Sequence, residues 1–273
     1  GRMRASGRAY GMVLLFGLLA ALWGSACAPR VVRVPVSEED AQRARLALRE
    51  GDLAFGRQDY YAALIRYLEG SKYNPNDEVI ANRLGIAYAK LGFYDRAEKA
   101  LRRAVQLDPE FAHGYNNLGS IYFLKDKLGR AERHLKKAIR LDGREPSFYI
   151  NLGNLYLEKN QVPRAMEQWA RALELDPLAL SGGSAVSLSR GGRTTPGERA
   201  FALARLYARE GNRELALRHL RQAVALGFSD ADAIRGEPDL EPLRGDPRFA
   251  EFLGNLDMLI RLQDGGDIEA GPR

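Results

Sequence analysis

Three histidines, one cysteine and a scatter of carboxylates and serines are the side chains from which catalysis would have to be built in this chain. Such chemistry needs them at characteristic spacings, with a base beside a hydroxyl or thiol, or several N, O and S ligands converging on one ion. Those spacings are absent. His113 stands alone, and His134 and His219 hold the same place in two copies of a repeated segment. No His/Cys/Asp/Glu cluster has metal-ligand spacing, and no glycine-rich turn opens a helix as a phosphate cradle does. The serines gather between Ser181 and Ser189 with no base in phase beside them. Acidic residues such as Glu39 and Asp40, or Glu158 beside Lys159, read as solvated helix faces. The expectation is therefore a non-enzyme with no catalytic residue, no metal site, no cofactor and no small-molecule substrate.

The elements that would position any site are written three times over. Leu84-Gly85-x-x-Tyr88 recurs as Leu118-Gly119-x-x-Tyr122 and Leu152-Gly153-x-x-Tyr156. Each copy continues at constant offsets with an alanine (Ala97, Ala131, Ala165), a bulky apolar residue (Leu101, Leu135, Trp169) and a second alanine (Ala104, Ala138, Ala172). The closing residues Pro109, Gly143 and Pro177 lie 34 apart. Apolar residues at helical spacing predict two helices per copy, with a turn near Gly92 or Lys127. Small residues mark places where helices pack closely, and the tyrosines supply rings that fill the gap between helix pairs. One such unit cannot bury its apolar face alone, so the units must stack.

Period and pattern together resemble the tetratricopeptide repeat (TPR) family, over roughly two-thirds of the chain. The resemblance implies an all-α, right-handed solenoid of about five helix-turn-helix repeats with a C-terminal capping helix and a concave binding surface. It places repeats 1–4 at 44–179, with a degenerate first copy in which Glu50 replaces leucine and Gln58 the turn glycine. Ser37 offers a hydroxyl cap for the first helix, with acids after it. Residues 180–196 are Gly- and Ser-rich and expected to be flexible. A fifth repeat and an "end-of-group" element follow at 197–262, with a helix from about Pro247 to Leu262, and 263–273 form a disordered tail.

The chain opens with Arg2, Arg4 and Arg8 and an uncharged run from Ala9 to Pro29, which reads as a secretory signal over 1–26. Cys27 directly follows Gly24-Ser25-Ala26, and the stretch resembles a bacterial lipobox, although Gly24 stands where that family prefers leucine. The resemblance implies lipid attachment at Cys27, a tether over 27–43 and an outer-membrane location facing the periplasm of a Gram-negative bacterium. An uncleaved anchor or plain secretion remain the alternatives. The formal charge of +6 falls to about +3 once the leader's arginines are set aside, too little to suggest a nucleic-acid partner.

Family positions carried onto this sequence predict the partner-binding groove. They fall on Asn82, Arg83, Ile86 and Lys90, then His113, Asn116, Asn117, Ser120 and Phe123, then Ile150, Asn151, Asn154 and Leu157. The amides offer donors and acceptors that can hold a peptide backbone, or they are tolerated polar filler. A chaperone-tail carboxylate clamp is not expected, because among Asp52, Ile86, Ser120 and Asn154, which hold the position in question, only Asn154 fits. Function is read as protein–protein interaction, in a periplasmic scaffold lipoprotein or a pilotin-like assembly factor for a secretin.

Overall fold

The computed structural model describes residues 32–180 and 194–263. The signal segment, Cys27, most of the Gly/Ser-rich segment and all but the first residue of the C-terminal tail lie outside the described residues. Twelve α-helices and one 3-10 segment make up the described residues, with no strand among them. Five antiparallel pairs follow one another: α1 (Glu38–Gly56) with α2 (Tyr60–Tyr73), α3 (Glu78–Lys90) with α4 (Tyr94–Leu107), and α5 (Ala112–Leu124) with α6 (Leu128–Leu141). The series continues with α7 (Pro146–Glu158) and α8 (Val162–Leu175), then α9 (Pro196–Arg209) and α10 (Arg213–Ala225). A short α11 (Ala231–Gly236), the 3-10 turn Pro238–Leu243 and α12 (Pro247–Gln263) close the array.

Local chemistry starts and stops these helices. Ser37 caps α1 by accepting from the Asp40 amide at 3.1 Å, with three acids in the first turn. Thr195 and Glu198 form a reciprocal capping box on α9. Within each pair the first helix ends on a residue of positive φ, at Gln58, Gly92, Asp126, Asn160 and Gly211. The next amide reaches back five residues, as in Phe93 to Tyr88, Lys127 to Tyr122 and Gln161 to Tyr156. This is a Schellman ending, which turns the chain into the second helix.

The signature glycines are packing devices. A Cβ on Gly85 would lie 2.4 Å from Leu101 Cγ, on Gly119 2.8 Å from Leu135 Cγ, and on Gly153 2.5 Å from the Trp169 indole. Gly51 repeats the arrangement with Tyr67 in the degenerate first copy. The alanines at 97, 131 and 165 are fully buried. Burying each of the large side chains opposite contributes about 1.5–3 kcal/mol.

Successive pairs stack through the second helix of one and the first of the next. First helices also touch each other, α3 with α5 and α5 with α7, whereas successive second helices stand further apart. First helices therefore line the inner side of a curved stack and second helices the outer side. One apolar cluster runs from Leu101 through Leu135 and Trp169 to Leu206. A second joins α9 and α10 to the C-terminal elements through Leu220, Leu240, Leu243, Phe249 and Phe252. The end cap is thus built from the 3-10 turn against α9 as well as from α12. Arg205 fixes it, reaching Glu237 at 3.0 Å and Asp239 at 2.8 Å. Residues 32–36 precede α1 without helix, and Val34 exchanges backbone hydrogen bonds with the Asn76 side chain.

Candidate protein-binding face

The inner side carries a line of carboxamides. Asn117 Nδ2 donates to Asn82 Oδ1 at 2.9 Å, and Asn151 Nδ2 donates to Asn116 Oδ1 at 2.9 Å. A longer contact of 3.4 Å from Asn116 to Asn117 joins the two. A chain of amides thereby crosses α3, α5 and α7. Three of its members, Asn82, Asn116 and Asn151, are at most 6% exposed. The amides are therefore bonded partners of one another across repeats, a use the sequence reading did not anticipate. In the ladder each amide gives at most one of its two N–H groups, so it keeps hydrogen-bonding capacity.

The other expected residues divide. His113 is exposed, with its ring edge-on to Phe148 at 5.2 Å. Lys90 is exposed and its ammonium lies 5.7 Å from the Tyr60 ring centre. Arg83 is half-buried and pairs with Asp52 at 2.8 Å, where the Tyr67 hydroxyl also donates to that carboxylate at 2.7 Å. Burial first, then that bond, pushes the Tyr67 phenol above its ordinary range. Ile86 is half-buried. Ser120 spends its hydroxyl on the Asn116 carbonyl one turn back. Ile150 and Asn154 are buried, while Phe123 and Leu157 are built into the central apolar cluster. These two are packing residues, at most 3% exposed.

Sequence reasoning missed a second polar joint on the same interfaces. Glu98 receives Lys125 and the Tyr122 hydroxyl, and one repeat on Glu132 receives Lys159 at 2.6 Å and the Tyr156 hydroxyl at 3.2 Å. Burial alone would raise the Glu132 carboxyl, but the Lys136 and Lys159 ammoniums override it and hold it at about 2. The same balance lowers Glu98. Glutamate 34 residues from glutamate, with lysine 27 residues after each, was the available signal. Among the described residues no group of three or more His, Cys, Asp or Glu is placed to hold a metal ion.

A cleft of about 460 Å³ opens where α9 meets the preceding pair, lined by Leu157, Val162, Thr194, Phe201 and Arg205 among others. The Thr194 hydroxyl donates across it to the Leu157 carbonyl at 3.1 Å.

A tetratricopeptide repeat family model matches residues 82–146 and 126–179, and a second of the same description matches 200–233. The chain contains tetratricopeptide repeats. These TPR matches begin at Asn82, yet α1–α2 has the same build, down to the Gly51–Tyr67 contact. The "Small glutamine-rich tetratricopeptide repeat-containing protein 2" of Mycosarcoma maydis is 32% identical over 87 residues, 32% of this chain and 25% of that protein. The "Hsp70-Hsp90 organizing protein 3" of Arabidopsis thaliana is 32% identical over 92 residues, 33% of this chain and 15% of that protein. The matched stretch thus spans a quarter or less of these two relatives. A thermophilic TPR protein of Thermus thermophilus superposes with a TM-score of 0.50 at 24% identity, over 72% of this chain and 98% of that one. Its likeness establishes the fold: an all-α TPR solenoid of stacked helix pairs.

Proposed function

We propose that this TPR array is a non-enzymatic scaffold that holds a peptide or helix of a partner protein against its inner face. The observation that carries this reading is the amide line from Asn82 to Asn151, which runs across three repeats on the inner side with Asn117 as its half-buried member. Amides repeated along a row suit the evenly spaced carbonyls of an extended backbone. The names of the organising-protein relatives fit a scaffold role. The inner face differs from one built for an acidic tail, because Arg83 is already paired with Asp52 and amides occupy the middle repeats.

The test is capture from detergent-solubilised envelopes with the wild type, Lys90→Ala and His113→Ala, both at exposed residues. Both substitutions leave the ladder and the core in place. Loss of captured partners with an unchanged melting temperature supports the inner face, and an unaltered capture profile sinks it.

We further propose, from the leader sequence, that Cys27 carries a lipid that holds the scaffold at a bacterial envelope membrane, facing the periplasm. Cys27→Ser is then expected to release the protein into the soluble fraction. Continued pelleting with membranes would point to an uncleaved anchor.

A further inference from the structure

The outer side of the stack carries a surface that neither catalysis nor the inner face uses. Its residues occupy equivalent positions on three successive outer helices. Ile65 of α2, Lys99 of α4 and Arg133 of α6 form one row, each 34 residues from the next. Leu68, Arg102 and Lys136 form the row one turn along. In α2 these places are apolar and open: Ile65 is 46% exposed, Leu68 41%, and Tyr61 on the same helix 67%. In α4 and α6 they are basic. Lys99, Arg102 and Arg133 are exposed and make no ion pair among the described residues. The acids of these two helices are already engaged, Asp95 and Glu98 by Lys125 and Glu132 by Lys136 and Lys159. Glu167 takes the equivalent place in α8 and ends the row.

We propose that this outer face docks on an anionic lipid surface, with Tyr61, Ile65 and Leu68 entering the headgroup boundary and the α4 and α6 cations meeting lipid phosphates. An apolar patch beside uncompensated cations is the composition that interfacial membrane binding rewards, through buried apolar area plus attraction to negative headgroups. Nucleic acid would reward the cations and leave Ile65 and Leu68 unpartnered. An acidic protein would have to grip a face that curves away from it, whereas lipid headgroups rearrange around such a face. Each cation near an anionic membrane adds an attraction that salt screens, so three together bind usefully even when each is weak.

The experiment is sedimentation of the full chain carrying Cys27→Ser with vesicles of phosphatidylglycerol and phosphatidylethanolamine, and with phosphatidylcholine alone. It is repeated with Lys99→Glu/Arg102→Glu/Arg133→Glu and with Ile65→Ser/Leu68→Ser, each checked for an unchanged helical melt. All three proteins share the same leader, so differences between them read the outer face. Binding to the anionic vesicles that falls at least tenfold in the charge variant, fades with salt and weakens in the apolar variant is the expected result. Equal binding by wild type and charge variant overturns the proposal, as does equal binding to neutral vesicles. So does capture of an acidic protein by the wild type without vesicle binding.

Discussion

Asn151 shows how one residue changes meaning once its neighbours are placed. In the sequence it is one of several polar residues offered to a partner; in the fold its amide is tied to Asn116 and is 5% exposed. Asn151→Ala leaves the Asn116 carbonyl oxygen without its donor, at a cost of about 1–3 kcal/mol. Thermal unfolding is expected to show that loss, while Lys90→Ala, at an exposed residue outside the ladder, leaves the melting temperature nearly unchanged. The ladder was hidden because its bonds join residues 35 apart, one more than the repeat length, and so cross from one aligned column to another. The positive-φ positions were half legible: Gly92 announced its turn, but Gln58 does the same task with a side chain that disfavours it. Gln58→Gly is expected to raise stability by about 0.5–1 kcal/mol, and Gly92→Ala to lower it by about as much. Chemical denaturation of the two variants checks both signs.

The helices themselves were plain to read, because leucine, glycine, tyrosine and alanine return at fixed offsets and each has a packing cause, such as the Gly85–Leu101 contact. The 3-10 turn Pro238–Leu243 was not, since a six-residue element with an internal proline has no periodicity to detect. The joints between helix pairs lay between these extremes. Glu132 locks α6 to α7, and its folded-state carboxyl sits at about 2 against an ordinary 4.5. A depressed carboxyl contributes fully above its unfolded value, so this stabilisation is present above pH 4.5 and drains away as pH falls towards 2. Melting temperature measured against pH is expected to fall across that window in the wild type. Glu132→Gln flattens that part of the curve and lowers the melting temperature at neutral pH. A curve of unchanged slope would remove the joint from the account of acid stability.

At the scale of the molecule the two apolar clusters matter most. The first four pairs share three interfaces of substantial contact, while α9 meets α8 over a thinner one, spanned by Leu173 and Leu180, which touch both clusters. Sequence hinted at this through the break in the 34-residue register after Pro177, but it could not say whether packing resumed across it. Arg205→Ala removes the link to Glu237 and Asp239. Hydrogen exchange is expected to quicken across 238–263 in that variant and to stay unchanged in α3–α8. Uniform quickening along the whole chain would instead mean that the array opens as one cooperative unit.

The thin α8–α9 interface also has a mechanical consequence. Units joined in series carry the same tension, and the softest junction takes up most of the extension. If the stack is drawn out between its two ends in an optical trap, the α9–α12 block is expected to part first as a separate rip at low force. The amide-laced middle repeats, cross-braced by Glu98 and Glu132, would yield later. A partner or membrane pulling on this protein would thus lengthen it at one place while leaving the inner face of α3, α5 and α7 intact.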